Sequence, residues 1–219
     1  MKLSIVYDNE ANKGFISDWG FSCLIETGDW NVLFDTGASG EILVHNLQQL
    51  RIHKEDIDII ALSHKHWDHI GGLRAVLHPS VAVCLPSSFP LGLKKHIAKK
   101  AASIVEVSEP KEIVPGVYTT GEFRIALLLT EQSLVLDTQE GVVVLIGCGH
   151  PGLETIFEAA KAFGTIYGVI GGFHGFKKLE LLHGLELIVP CHGTIRKKEI
   201  VEMYPEKTVR CGAGRVIEF

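Results

Sequence analysis

The segment Ile57–Leu73, IDIIALSHKHWDHIGGL, constrains this chain more than any other. An apolar, β-favouring run from Ile57 to Leu62, broken only by Asp58, reads as a buried central strand. It leads into His64, His66, Asp68 and His69, and a helix-like pattern follows Gly71-Gly72. Imidazole nitrogen and carboxylate oxygen are the donors that zinc and its neighbours accept. On an extended segment His64, His66 and Asp68 share a face while His69 points away, so all four converge only if the chain turns between Asp68 and His69. With the His and Asp frequencies of this chain, HxHxDH would arise by accident in roughly one such sequence per thousand. A metal-binding loop closing a buried strand is the reading that remains.

Composition narrows the setting. The 219 residues, 46% of them apolar, are enough for one large core, and the chain 1–219 reads as a single domain. Its formal charge of −5, with Lys and Arg spread out, argues against a nucleic-acid partner. Every apolar run is too short to span a membrane, and MKLSIVYDN reads as a first strand, not a signal peptide. Cys23, Cys84, Cys148, Cys191 and Cys211 are odd in number and lack CxxC spacing, so no disulfide framework is expected and the cytoplasm is the expected location.

Periodicity places strands at Leu3–Tyr7, Phe21–Glu26, Asn31–Phe34 and Val81–Leu85, with a hairpin turn at Gly28-Asp29. Helices are expected over Glu41–Leu50, capped by Ser39, through Leu73, Val76 and Leu77, and over Leu91–Ala102. His78, before Pro79, reads as a surface residue, and Lys94, Lys95, Lys99 and Lys100 as a solvated basic helix face. From Ile104 to Ile146 the pattern is β throughout: IVEV, VYTTG, FRIALLL, and the hairpin QSLVLDTQEGVVVLIG. Then come a helix over Gly152–Phe163, a strand over Thr165–Ile170, a short helix at Leu179–His183, a strand at Leu187–Val189, a helix at Lys197–Tyr204 and a closing strand at Arg215–Glu218. Two facing β-sheets with helices outside, an α+β four-layer αββα sandwich, accommodate this order. The C-terminal half offers further donors just past apolar strands: Cys148 and His150 in VVVLIGCGHPG, His174 in YGVIGGFHG, and Cys191 and His192 in LIVPCHGT.

HxHxDH after a hydrophobic strand resembles the signature of the metallo-β-lactamase superfamily, and LFDTG, with Asp35, is similar to that superfamily's first motif. The resemblance implies the αββα fold and two divalent metal ions, with Asp35 supporting ligands without touching metal. PCHGT resembles the last motif, which gives His192 a place at the second ion. The usual histidine before the penultimate hairpin and the usual bridging aspartate are missing; Thr130-Glu131-Gln132-Ser133-Leu134 and Gly147-Cys148-Gly149-His150 stand in those regions. Either His150 fills the first-site role, or Cys148 or Glu131 supplies a ligand. EQSL, GCGHPG, IGGFHG and PCHGT, with Asp8-Asn9, resemble the branch of archaeal dihydropterin–ribofuranosylaminobenzene phosphate synthases and bacterial metal-dependent hydrolases.

On this reading His64, His66 and His150 hold one ion and Asp68, His69 and His192 the other. Zinc is the default, and manganese or iron accept the same donors. A zinc-bound water loses its proton near pH 7, which supplies a nucleophile for a small ester or phosphoester. Asp68 would orient that nucleophile and His174 would serve the leaving group. The first rival is a transferase joining a pterin methyl diphosphate to an arylamine, with Trp67, Phe173 and Phe176 around a pterin-sized slot. The second is a metal-binding protein without turnover. Small molecules, phosphorylated or pterin-like, are the expected partners, and Lys177, Lys178, Arg196, Lys197 and Lys198 are either phosphate ligands or solvated surface.

Overall fold

The computed structural model describes residues 1–126 and 129–219. Strands β1 (Lys2–Tyr7), β2 (Ser22–Glu26) and β3 (Asn31–Phe34) pair antiparallel, Glu26 facing Asn31 across the expected Gly28 turn. Helix α1 (Gly40–Gln49), capped by the Ser39 hydroxyl on the Ile42 N–H, leads to β4 (Ile59–Ala61). The one-turn helices α2 (Trp67–Ile70) and α3 (Leu73–Val76) follow, then β5 (Ala82–Pro86), α4 (Leu91–Ile97) and β6 (Ser103–Val107). Strands β3 to β6 run parallel, as helical crossovers require.

The second sheet takes β7 (Lys111–Val114) and β8 (Val117–Thr119); β9 (Phe123–Ala126) and β10 (Leu129–Glu131) pair separately. The hairpin of β11 (Leu134–Thr138) and β12 (Gly141–Ile146) forms with Thr138 opposite Gly141. Helix α5 (Leu153–Ala160), β13 (Ile166–Gly171), β14 (Leu187–Pro190) and α6 (Lys197–Met203) complete this half, with β12, β13 and β14 parallel. The last strand, β15 (Val216–Glu218), returns to pair with β1. The seven-stranded order is β15-β1-β2-β3-β4-β5-β6 and the six-stranded order β14-β13-β12-β11-β8-β7.

Alternation along the strands builds the four layers. Cys23 and Ile25 of β2 point toward Leu134, Leu136, Val143 and Leu145 in the core between the sheets. Leu24 and Leu33 face the other way, onto Leu43, Leu47, Leu73, Val76 and Ile97 of the first helical layer. Val142, Val144 and Ile146 do the same against Leu153, Ile156, Phe157 and Ile200. The α+β, αββα architecture expected from the sequence is the one found.

Several local expectations change. Helix α4 stops at Ile97 instead of Ala102, and Lys94 is buried, its ammonium donating to Glu106 Oε2 at 2.7 Å, so the basic face is not wholly solvated. His78 is buried, not superficial: its Nε2 lies 3.0 Å from the Ile57 carbonyl and its Nδ1 accepts the Ser80 N–H. Both ring nitrogens are therefore satisfied in an apolar wall. Strand β7 escaped the pattern because Glu112 interrupts its short apolar run. The Leu179–His183 helix is a 3-10 turn over Leu179–Leu182. FRIALLL is a strand over its first four residues; Leu127 and Leu128 lie outside the described residues.

Candidate metal centre

Register brings the donors together. Phe34 is level with Ala61, and Ile146, Gly171 and Pro190 are level across the other sheet. The segments following these parallel strands therefore emerge side by side: Asp35 after β3, Ser63 and His64 after β4, Cys148 and His150 after β12, His174 after β13, His192 after β14. Small residues permit the approach. A Cβ on Gly147 would collide with the Ser63 side chain and crowd Asp35. Asp35 itself adopts φ of +57°, a left-handed conformation that aspartate tolerates better than most residues.

The HxHxDH loop converges by a different turn from the one its spacing suggests. His66 is extended, and α2 begins immediately after it, so Asp68 and His69 occupy consecutive positions of one helical turn. The bend lies before Trp67, not between Asp68 and His69. A single turn separates neighbouring side chains by about 100°, enough to aim Asp68 and His69 at a common point that the preceding strand also faces.

Two triads of donor atoms result, each with its members within 4.8 Å of one another: His64, His66 and His150, and Asp68, His69 and His192. His64, His69 and Cys148 form a third overlapping group, with Cys148 Sγ 3.5 Å from His69 Nε2. Cys148 is buried, and burial, followed by the charge of Glu131, pushes its thiol well up.

Four of the five imidazoles are fixed from outside. The Nδ1 of His69 donates to Asp35 Oδ2 at 2.7 Å. The Ser63 hydroxyl donates to the same oxygen at 2.6 Å and accepts from His64 Nδ1 at 2.9 Å, while the Ser63 N–H donates to Asp35 Oδ1. His150 Nδ1 donates to Glu131 Oε2 at 2.7 Å, and His192 Nδ1 is held between Asn9 Oδ1 at 2.8 Å and the Gly20 N–H at 3.2 Å. His64, His69 and His150 thus keep Nδ1 protonated and turn a bare Nε2 inward, the tautomer a metal ligand needs, while His192 Nε2 stands 3.2 Å from Asp68 Oδ2. His64 Nε2 lies 3.0 Å from His66 Nδ1, two ring nitrogens brought to one point between the rings. This donor set fits divalent metal ions.

The electrostatics agree. Burial, reinforced by the nearby His69, lowers His64 to about 3; burial and His192 lower His69 to about 3. Both stay neutral at physiological pH, as ligands. Burial pushes the Asp35 carboxyl up, opposed by His64 and the Ser63 bonds. Burial would also raise Asp68 and Glu131, yet the hydrogen bonds from His192 and His150 outweigh it. Asp68 is held below the carboxylate range and Glu131 at about 2.

Glu131 turns both oxygens to the loop that carries His150. Its Oε1 accepts the N–H groups of Cys148 and Gly149 at 2.8 Å each, and its Oε2 accepts the His150 N–H as well as the ring. The carboxylate therefore folds the GCGH loop around itself and leaves His150 to face His64 and His66. Gln132 ties that support to the metal loop, its side-chain amide donating to the Leu62 carbonyl. Sequence reasoning also missed Trp19, whose indole N–H donates to Asp68 Oδ2 at 2.9 Å, and the hold of Asp8 Oδ1 on the His192 N–H at 2.6 Å. Asp8-Asn9 entered there only as part of a resemblance; nothing in spacing announced a contact across most of the chain.

His174 stands beside the cluster, exposed, its ring centre 5.1 Å from that of His150. A cavity of about 400 Å³ lies there, lined by Ile125, His150, Phe173, His174 and Lys177 among others. Phe173 and Phe176 are core residues that reach its wall, while Trp67 is 64% exposed. Of the late cations, Lys178 pairs with Glu154, Arg196 with Glu199 and Lys197 with Glu10.

Residues 20–83 match the sequence model of the metallo-beta-lactamase superfamily. The chain is 29% identical over 272 residues to the 7,8-dihydropterin-6-methyl-4-(beta-D-ribofuranosyl)-aminobenzene-5'-phosphate synthase of Methanocaldococcus jannaschii, a match covering 95% of this chain and 92% of that protein. An uncharacterised protein of the same organism is 30% identical over 202 residues, 78% of each chain. Among solved structures, Tm1679, described as a metal-dependent hydrolase of the beta-lactamase superfamily, superposes with a TM-score of 0.83 at 26% identity, covering 100% of this chain and 99% of that one.

Proposed function

Because this chain belongs to the metallo-β-lactamase superfamily, we propose that it is a metal-dependent hydrolase of a small ester or phosphoester, working as one domain over 1–219. The observation that carries the reading is the pair of donor triads, four of whose five rings, those of His64, His69, His150 and His192, are anchored at Nδ1. His64, His66 and His150 would hold one divalent ion, and Asp68, His69 and His192 another, with Cys148, beside His64 and His69, as a further ligand. Zinc is the expected metal, and manganese or iron suit the same donors. Bound there, such ions supply Lewis acidity and an activated water near neutral pH.

The chain's own groups supply the rest. Asp68, held ionised by His192 and Trp19, keeps a free lone pair with which to orient a nucleophile. His174, exposed at the rim, would hydrogen-bond or protonate the leaving group. The cavity beside it would seat the substrate, with Lys177 offering a charge to a phosphate. Among the described residues no helix is long and apolar enough to cross a membrane.

The synthase of Methanocaldococcus jannaschii supports a second reading, a transferase that joins a pterin methyl diphosphate to an arylamine. Leaving-group stabilisation serves both chemistries. Metal content by mass spectrometry, on wild type and on His64→Ala and His192→Ala, tests the site. Two histidine-dependent ions per chain, reduced in each variant, are expected; a single ion lost only with His64→Ala would remove the second triad from the reading. Hydrolysis of phosphodiesters or lactones without a co-substrate supports the hydrolase. Diphosphate release that appears only with an arylamine overturns it in favour of transfer.

A further inference from the structure

Behind His192, away from the two triads, Asp8, Cys191 and Cys211 place a carboxylate oxygen and two thiol sulfurs within 4.8 Å of one another, all in buried positions. Topology makes the meeting systematic. Ile188 bridges Thr208 in parallel, with Ile188 N–H on the Lys207 carbonyl and Val209 N–H on the Ile188 carbonyl. Continuing that register by three residues sets Cys191 opposite Cys211. On one tetrahedral zinc with Zn–S of about 2.3 Å, two thiolates stand about 3.8 Å apart, so the three atoms need only a small contraction.

We propose that Asp8, Cys191 and Cys211 form a separate site for a thiophilic divalent cation of the zinc class. Charge supports it. Lys197 Nζ lies 4.0 Å from Asp8 Oδ2 and 3.6 Å from Glu10 Oε1, and because Arg210 balances Glu10 at 2.8 Å the Lys197 charge faces this cluster. As the ion binds, both thiols release their protons to solvent, and the ion, two thiolates, Asp8 and Lys197 together are neutral. A buried site is most stable when balanced in this way. A way in exists: a cavity of about 430 Å³ is lined by Cys211, Lys197, Glu10, Arg210 and Pro190 among others. Asp8 has lone pairs to spare beyond those taken by the N–H groups of His192 and Glu10. The ion would buttress His192 from behind through Cys191, its chain neighbour, and through Asp8.

Cobalt(II) substitution tests this independently of the histidine site. In a Cys148→Ser chain, where the remaining candidate thiol near the histidines is gone, bound cobalt should give thiolate-to-metal charge-transfer absorption in the near ultraviolet. Adding Cys211→Ser or Cys191→Ser should abolish that band and remove one ion per chain, leaving the histidine-dependent visible absorption in place. A Cys148→Ser protein that binds cobalt with no thiolate band overturns the proposal, as does a band unchanged by Cys211→Ser. Should the double variants not fold, alkylation of the folded Cys148→Ser chain decides. Zinc should protect Cys191 and Cys211 from a thiol reagent, and equal labelling with and without zinc sinks the idea.

Discussion

Between Asp35 and His69 the chain draws its donors and their supports from two adjacent strand ends, whereas between Glu131 and His192 it draws them from four separated segments. In the first region one carboxylate, Asp35, serves His69 directly and His64 through Ser63. In the second, Glu131 holds His150, while His192 is held by Asp8 and Asn9 from the far end of the chain. The first region concentrates its risk in one residue; the second distributes it. Damage should therefore be collective in the first case and local in the second.

Asp35→Ala tests the concentrated half and should have the largest effect. It leaves the Ser63 N–H, the Ser63 hydroxyl and His69 Nδ1 without their acceptor in a fully buried place. Each buried donor left without its acceptor costs about 1–3 kcal/mol, and ligand orientation is lost with them. Urea denaturation of the metal-free protein should show that loss, and both triads should bind metal more weakly. A variant that lost only one ion would break the comparison.

Glu131→Gln probes the distributed half. The amide still accepts from Cys148 and Gly149, but its NH₂ then meets the N–H groups of His150. A buried hydrogen bond to a charged group replaced by an unsatisfied donor costs about 1.5–3 kcal/mol. Metal bound through His150 should weaken while the His192 triad keeps its ion. Metal counts on this variant separate a local loss from a collective one.

The contrast also marks what could be read in advance. Ligands packed within HxHxDH announce themselves because their density is improbable, and Asp35 follows because a strand end before glycine has a recognisable form. The αββα layers were readable too, since alternation in β2 and β12 already sorts inner from outer residues. Glu131, Asn9 and Trp19 carry no such mark. Their partners lie at long separations, and a single acid, amide or indole in a β-rich segment is locally unremarkable. Their roles arise from strand register, which only the folded chain fixes. His78 failed for the same reason: a histidine before proline looks superficial until the Ile57 carbonyl is found beside it.

Acid should separate the two halves in the metal-free protein. His64 and His69 are depressed from 6.5 to about 3, so the unfolded chain binds their protons first. Their contribution is present above pH 6.5 and is lost as pH falls from there toward 3. Glu131, depressed from 4.5 to about 2, contributes above pH 4.5 and loses that contribution only between 4.5 and 2. Stability followed by denaturant midpoint should therefore fall in two windows that overlap between pH 4.5 and 3, the upper one shallower because Asp35, raised from 3.8 to about 7, shifts the other way. Glu131→Gln should flatten the lower window alone; flattening of both would mean the halves titrate as one.

The smallest effects belong to single supports at the rim of each triad. Asn9→Ala removes the amide oxygen at His192 Nδ1 but leaves the Gly20 N–H on that nitrogen and Asp8 holding the same residue by its backbone. An outer partner of this kind is worth about 10- to 100-fold in metal affinity, and the low end is expected because His192 keeps its second hold. Trp19→Phe should do less. It deletes one indole N–H from Asp68 Oδ2, which His192 Nε2 still approaches at 3.2 Å, and it preserves the ring that packs edge-on against His192. One hydrogen bond to a charged, partly exposed group amounts to about 1 kcal/mol, roughly fivefold in affinity. Metal titration of the two variants side by side gives the ranking. If Trp19→Phe proved the more damaging, Asp68 and not His192 would be the residue on which the second triad depends.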